Sequence, residues 1–469
     1  MRKLKADIVV IGAGSGGLSV ASGAAQLGLR VVLFEKGEMG GDCLNTGCVP
    51  SKALIASAHA AHDARTAGRL GVNASPTIDF AAVMAHVRGA IAAIEPHDSQ
   101  QRFEGLGVTV IREAARFTGL RTVASASVEV TARKVVIATG SRAKAPPIPG
   151  LPGSGFLTNE SIWGLTELPR RLIVLGAGPI GLELGQAFRR LGSEVVVVEA
   201  AQPLPREDRD LAQPVLEQLA ADGVEIFTGR LVDAVERSGD TIAVVSGGHR
   251  IEGSHLLVAV GREAVLDGLN LDAANIDHGP RGITLDRQLR STSNPAVFAI
   301  GDAAGREAFT HVAGAHAGLV VRRALFAQGV DVEALVIPRV TYTDPEIAAV
   351  GLSEADARKI HGDRLQILTV PFKGNDRAIA EADTRGLGKL ILDPKGRILG
   401  VAIVGRGAGE LIHPWALALT AKLKLRAFAD FIAPYPTRGE IHKRLASAFY
   451  SPILFSGRTR ALVNLLKRF

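Results

Sequence analysis

Residues 7–17 read Asp7-Ile8-Val9-Val10-Ile11-Gly12-Ala13-Gly14-Ser15-Gly16-Gly17, and residues 171–181 read Arg171-Leu172-Ile173-Val174-Leu175-Gly176-Ala177-Gly178-Pro179-Ile180-Gly181. Each opens as a short apolar run rich in branched side chains, as a strand buried on both faces requires, and each breaks into Gly-x-Gly-x-x-Gly. A helical stretch follows in both places: Leu18 to Leu27, closed by Gly28, and Ile180 to Leu191. A second apolar strand then ends on an acid, Arg30 to Glu35 in one copy and Glu194 to Glu199 in the other. Strand, glycine turn, helix and strand make one βαβ unit, and the chain carries two of them.

The spacing has a physical reading. Gly12 and Gly176 allow a tight turn, and Gly14 and Gly178 let backbone N–H groups approach a pyrophosphate. Gly17 and Gly181 let helix and strand lie close together. The unpaired N–H groups and dipole at each helix start attract phosphate. Glu35 and Glu199, each eighteen residues past the last glycine, can accept bonds from ribose hydroxyls. Two such sites imply two cofactors, a flavin and a nicotinamide. Glu199 would repel a 2′-phosphate and so favours NADH, while Arg206 nearby keeps NADPH open. The expected fold is α/β, with two Rossmann-like dinucleotide-binding domains. Mixed strands and helices after Pro338 (Gly388 to Leu392, Leu399 to Val404, Glu410 to Lys422) add an α+β domain. The proline-rich run Lys144 to Pro152 reads as a linker.

A chain of 469 residues suits about three domains. An aromatic share of 4% gives no stacking platform for nucleic acid, and the net charge of +7 is scattered along the chain. No apolar run reaches the roughly 18 residues of a membrane span. The basic start Met1-Arg2-Lys3-Leu4-Lys5 precedes an apolar stretch too short for a signal peptide, so a cytoplasmic protein is expected.

The two cysteines sit in Cys43-Leu44-Asn45-Thr46-Gly47-Cys48. A metal site would need more thiol or imidazole ligands, and no histidine precedes His59, so no metal is expected. An unbroken helix separates residues i and i+5 by roughly 7.5 Å along its axis. A disulfide wants Cα atoms closer than about 7 Å. The segment must therefore bend, which Gly41 and Gly47 permit. A strained, easily reduced bond suits a catalytic pair. Lys52 lies one helical turn past Cys48, where its ammonium can stabilise a thiolate or an anionic flavin.

These residues resemble the FAD-containing pyridine nucleotide–disulfide oxidoreductases, among them dihydrolipoamide dehydrogenase, glutathione reductase and mercuric reductase. The resemblance is carried by Gly12 to Gly17, Gly40-Gly41-Asp42-Cys43 through Cys48-Val49-Pro50-Ser51-Lys52, Ala138-Thr139-Gly140, Gly176 through Glu183, Ala299-Ile300-Gly301-Asp302 and Tyr342-Thr343-Asp344-Pro345-Glu346. It implies that Cys43 exchanges with substrate and that Cys48 is the charge-transfer thiolate beside the flavin. Lys52 would sit near the flavin N5 with Glu183 as its partner. Gly12, Gly14, Gly17, Glu35, Lys52, Thr139, Gly140 and Asp302 would bind FAD. Gly176, Gly178, Gly181, Glu199 and Gly261 would bind NAD(P). The implied domains are 1–149 with 270–335 for FAD, 150–269 for NAD(P), and 336–469 for a homodimer interface whose C-terminal residues complete the partner's site.

The usual ending, His-Pro-Thr-x-x-Glu, reads Tyr435-Pro436-Thr437-Arg438-Gly439-Glu440 here. Tyrosine titrates near 10 and is a poor base at neutral pH, so oxidation of a dithiol by Tyr435 and Glu440 is in doubt. Mercuric reductases are similar at this point, yet their C-terminal cysteine pair is absent. His442 is a candidate displaced base or a surface histidine. His311 and His316 either line the flavin site or pack. The tail, 456–469, places Leu462, Leu465, Leu466 and Phe469 on one side with cations elsewhere, which fits a membrane surface or a dimer contact. The expected activity is that of an FAD-dependent, NAD(P)H-linked disulfide oxidoreductase, dihydrolipoamide dehydrogenase-like, acting on a small disulfide or dithiol. A mercuric-reductase-like metal-ion reductase and a flavin redox sensor or membrane-associated electron-transfer protein stay open beside it.

Overall fold

The computed structural model describes residues 1–467, so Phe469 lies outside the described residues. The chain forms two compact units, each built from separated segments. The first comprises Met1–Ala58, Ile78–Gly176 and Val232–Leu335, and the second His59–Thr77, Ala177–Leu231 and Val336–Phe469.

The first unit is organised on a seven-stranded sheet. Its order is Thr109–Ile111, Val31–Phe34, Arg2–Ile11, Val128–Ile137, Thr122–Ala124, Arg116–Gly119, with Val297–Ala299 also paired to Val128–Ile137. The centre is parallel and in register through Val9, which faces Val32 on one side and Val135 on the other. Ile8, Val10, Leu33 and Phe298 pack on one face, and Val9, Ile11, Val32 and Val135 on the other. Both faces are covered, which is why these strands read as unbroken apolar runs. Helices Ser15–Gln26 and Thr310–Phe326 lie together against the first face. Val128–Ile137 is one continuous strand of ten residues. This unit also holds the parallel pair Arg171–Leu175 and His255–Val258, and an antiparallel sheet of Ala234–Ser238, Thr241–Ser246 and His249–Gly253.

In the second unit, helix Pro179–Leu191 leads to strand Glu194–Val198, which pairs in parallel with Val224–Phe227. A five-stranded antiparallel sheet follows, in the order Arg339–Thr341, Glu346–Gly351, Ile398–Gly405, Leu387–Leu392, Gln366–Pro371. The helix expected over Glu410 to Lys422 is divided into Ala408–Leu411 and His413–Thr420. Pro414 is tolerated in the first turn of the second piece but could not continue the first. His442 is neither a surface residue nor a free base. It is buried, with Nδ1 accepting the Trp415 Nε1 hydrogen at 2.9 Å, and burial lowers its pKa to about 4.

Candidate active site

The two glycine loops have the same local geometry. Gly12 and Gly176 have φ of 105° and 101°, the left-handed region. A Cβ at Gly12 would come 2.8 Å from the Ala138 carbonyl carbon, and one at Gly176 would come 2.6 Å from the Ala259 carbonyl oxygen. Gly17 is equally constrained, because a Cβ there would collide with the Gly12 carbonyl oxygen. Gly14 and Gly178 differ from these. Both are extended helix caps, with φ of −79° and −78°, a conformation open to any residue. A Cβ at Gly178 meets no atom within 4 Å, and one at Gly14 makes only an ordinary contact. Nothing in the chain requires glycine at these two positions, whereas a group approaching each helix N-terminus from outside would.

The acids that end the second strands also match. Glu35 accepts the Ala13 N–H at 2.6 Å and the Gly37 N–H at 2.7 Å, and Glu199 accepts the Ala177 N–H at 2.7 Å and the Ala201 N–H at 2.8 Å. Beside the first loop lies a cavity of about 240 Å³ lined by Gly12, Glu35, Lys36, Glu113 and Thr139. Thr139 Oγ1 is buried and has no hydrogen-bond partner among the described residues, an orphan that a bound polar group would satisfy. Gly140 follows at φ 70°. Asp302 accepts from the Ser141 hydroxyl, and Ser141 in turn accepts from Arg262 Nε at 2.8 Å. Arg262 also pairs with Asp42 at 3.2 Å. Gly261, before it, has φ 128°. His316 is buried as packing, its Nδ1 accepting the Gly301 N–H at 3.2 Å.

The cysteine segment bends where the glycines allow it. Helix Gly41–Asn45 ends, Thr46 and Gly47 turn, and helix Cys48–Thr66 begins, which puts Lys52 one turn past Cys48. Asn45 Nδ2 donates to the Met39 and Gly41 carbonyls, both at 2.9 Å, and Trp163 Nε1 donates to the Thr46 carbonyl at 2.8 Å. A Cβ at Gly47 would stand 2.9 Å from Asp42 Oδ2. Cys43 and Cys48 are free thiols here, the reduced form of the pair. Their acidities diverge. The Cys43 S–H bonds to Cys48 and is the main reason the Cys48 pKa falls to about 6, helped by the Thr310 hydroxyl and Lys52 against the opposing effect of burial. Cys43 is pushed far up, because its proton holds that bond and because it is buried. Lys52 Nζ lies 3.3 Å from Ser51 Oγ.

In the second unit, Glu183 is buried and accepts the Tyr342 N–H at 2.9 Å. Tyr435 is 71% exposed and donates its hydroxyl to Asp376 Oδ2 at 2.9 Å, which raises the tyrosine pKa. Glu440 opens helix Glu440–Leu454 and receives the Thr437 N–H at 3.4 Å.

Comparison with known proteins agrees with this arrangement. Residues 6–317 match the family described as pyridine nucleotide-disulphide oxidoreductase, and residues 337–446 match its dimerisation domain. The chain belongs to the pyridine nucleotide-disulphide oxidoreductase family. Among its relatives, a mercuric reductase of Streptomyces lividans is 35% identical over 95% of this chain and 97% of its own. A dihydrolipoyl dehydrogenase of Bacillus subtilis is 32% identical over 94% of this chain and 98% of its own. Two solved structures are similar in fold and extent, each at 28% identity and TM-score 0.86. One is the copper(II) complex of the HOCl-induced flavoprotein disulfide reductase RclA from Escherichia coli, covering 94% of this chain and 99% of that one. The other is LpdA from Mycobacterium tuberculosis, covering 96% and 100%.

As a pyridine nucleotide-disulphide oxidoreductase the chain uses FAD and NAD(P)H. The free helix starts beside Gly14 and Gly178, the orphaned Thr139 hydroxyl and the cavity beside Glu35 fit dinucleotides. Sequence reasoning missed Thr310, Arg262 and Asp376. Each acts on a residue far away in the chain, so no local spacing signals them. Thr310 lies 3.2 Å from Cys48 Sγ across 262 residues.

Proposed function

We propose that this oxidoreductase runs as an NAD(P)H-linked reductase of small disulfides, with Cys43 as the exchanging sulfur and Cys48 as the sulfur facing the flavin. The carrying observation is the placement of Cys48 at the start of helix Cys48–Thr66 with Thr310 Oγ1 3.2 Å from its Sγ, while Cys43 lies across the Thr46–Gly47 turn on helix Gly41–Asn45. Bound FAD supplies the two-electron link between the nicotinamide and the Cys43–Cys48 bond. The protein residues do the rest. Cys48 takes the proton of Cys43 across their shared hydrogen bond, and the Cys43 thiolate attacks one sulfur of the substrate disulfide. One thiolate leaves and takes up a proton, and a mixed disulfide remains on Cys43. Cys48, deprotonated again, attacks the Cys43 sulfur, expels the second thiol and restores the Cys43–Cys48 bond. The balance is NAD(P)H, H⁺ and one disulfide giving NAD(P)⁺ and two thiols.

Cys48→Ser protein, reduced and treated with a small disulfide, should accumulate a mixed disulfide on Cys43, identified by mass. Adducts on Cys48 of Cys43→Ser protein forming at an equal rate would overturn the roles. A second acceptor, a soft divalent metal ion, is favoured by Tyr435 in the place of histidine and by the mercuric reductase relatives. Mercury(II)-dependent NADPH oxidation, run beside oxidised lipoamide and glutathione disulfide, separates the two.

The remaining assignments belong to the same proposal. Residues 1–149 with 270–335 hold FAD, with Lys52 and Asp302 against it. Residues 150–269 hold the nicotinamide, and residues 336–469 build a homodimer in which Tyr435 and Glu440 approach substrate. We read NADH as preferred because the Glu199 carboxylate, held at the second glycine loop by the Ala177 and Ala201 N–H groups, would repel a 2′-phosphate. The cytoplasm is the assigned compartment because it supplies the nicotinamide reductant. Among the described residues no helix is long and apolar enough to cross a membrane. Helix Gly457–Leu466 exposes Leu462, Val463, Leu465 and Leu466, lies beyond the matched residues and supports a peripheral contact with anionic lipid. Deleting residues 456–469 should abolish binding to phosphatidylserine vesicles, and vesicle binding that survives the deletion would refute this contact.

A further inference from the structure

Cys48 opens the 19-residue helix Cys48–Thr66, and Thr310 opens the 17-residue helix Thr310–Phe326. Neither helix has an acid in its first turn, so both turn positive ends toward one sulfur. Cys48 Sγ and Thr310 Oγ1 are 3.2 Å apart, within reach of a sulfur hydrogen bond. Either atom can donate while Cys48 is a thiol, and counting hydrogens fixes the direction once Cys48 is ionised. A Cys48 thiolate has none to give, so Thr310 must donate. The same hydroxyl is also within bonding reach of Cys43, yet it has only one proton to offer. Cys43 already uses its own hydrogen toward Cys48. Two donors therefore converge on Cys48 and none is left for Cys43.

The charged groups facing this sulfur are Asp42 on helix Gly41–Asn45, itself paired with Arg262, and Lys52 on the helix of Cys48. Asp42 opposes ionisation of both thiols and cannot choose between them. Lys52 acts as a point charge at the end of a flexible stem. The hydroxyl is directional and sits at the start of a rigid helix.

We propose that Thr310 is a positioning residue of the redox pair: its hydroxyl fixes the negative charge on Cys48 and so keeps Cys43 protonated until a substrate disulfide arrives. This rests on the sulfur roles proposed above, and its test is arranged so that the two can fail separately.

The test follows thiolate ultraviolet absorbance against pH in the reduced, full-length, flavin-loaded protein, for the parent, Thr310→Val, Thr310→Ala and Thr310→Ser. The parent should show one thiolate appearing near pH 6. Removing a hydrogen bond to a charged acceptor should raise that midpoint by about one pH unit, a roughly tenfold change in proton affinity, in both the valine and alanine variants. Serine, which keeps the hydroxyl, should restore the midpoint to within about 0.3 unit, a difference small beside the expected shift. A midpoint unmoved or lowered in the valine and alanine variants, or a serine variant shifted as far as valine, overturns the role of Thr310. The same titration in Cys48→Ser and Cys43→Ser protein tests the sulfur assignment by itself: the low-pH thiolate must vanish in the first, and its loss in the second instead would refute that assignment.

Discussion

Alanine at Gly176 should separate the two nucleotide sites. Its φ of 101° is one an L side chain rarely adopts, at a cost of about 1–2 kcal/mol. Its Cβ would come 2.6 Å from the Ala259 oxygen and 2.9 Å from the Ala259 carbonyl carbon, and both are backbone atoms that cannot swing away. Relieving that overlap adds about 1–3 kcal/mol of displaced backbone. If the glycine turn must reach its present shape to bind nucleotide, the sum of about 2–5 kcal/mol appears as weaker binding, between about 30-fold and a few thousand-fold. Gly176→Ala protein should thus keep its flavin, read by visible absorbance, while its affinity for NADH, read by nucleotide fluorescence, falls by that factor. Gly12→Ala, with φ of 105° and a Cβ 2.8 Å from the Ala138 carbonyl carbon, should lose flavin instead. Gly178→Ala is the control. It is unstrained and meets nothing within 4 Å, so it should fold and hold flavin normally and weaken NADH only through a clash with the nucleotide. NADH affinity within threefold of the parent in Gly176→Ala, or full flavin content in Gly12→Ala, would refute this reasoning.

Two stability predictions accompany it. Lys389, 3% exposed, holds Asp208, Asp210 and Glu354 at 3.1, 2.9 and 2.6 Å, so Lys389→Met should destabilise the protein by about 3 kcal/mol, the low end for an orphaned buried charge because Asp210 and Glu354 are partly solvated; a loss under about 1 kcal/mol in urea melts would contradict the burial argument. The His442 pKa is depressed from 6.5 to about 4, so its contribution is complete above pH 6.5 and is lost as pH falls toward 4; His442→Gln, which keeps an acceptor for Trp415, should remove about 3 kcal/mol of that acid sensitivity, and an unchanged slope between those pH values would count against it.

The parts of the fold set by local pattern were legible in the sequence. The glycine loops, the helices that follow them and the acids at the strand ends all fall where period and spacing put them. Boundaries moved by a residue or two, as at Val31–Phe34, where the flanking Arg30 and Glu35 leave the ladder. The helical spacing of Cys48 and Lys52 was legible, and Pro50 falls in the first turn of their helix, where proline is tolerated. The parts set by distant contacts were not legible. Tyr435 bonds to Asp376, 59 residues upstream, whereas resemblance had linked it to Glu440, which instead receives the Thr437 N–H. His442 looked like a surface histidine because its burial depends on Trp415, 27 residues away.

The two glycine loops are nearly superimposable in their angles, but their surroundings differ. Gly40 donates its N–H to the Ala13 carbonyl at 2.9 Å, and Gly14 and Gly40 form a β-bridge. A Cβ at Gly41, where φ is 61°, would come 2.7 Å from the Gly14 Cα. The start of the cysteine helix is therefore pressed against the first phosphate loop itself, and no side chain fits at Gly41. A group held by that loop has a fixed relation to Cys43 and Cys48, as direct electron exchange with sulfur demands. At the second loop Gly178, the counterpart of Gly14, has open space around it. The close approach of Gly14 and Gly41 ties the first loop to the cysteine segment, and the proposed role of that loop as the flavin site rests on it.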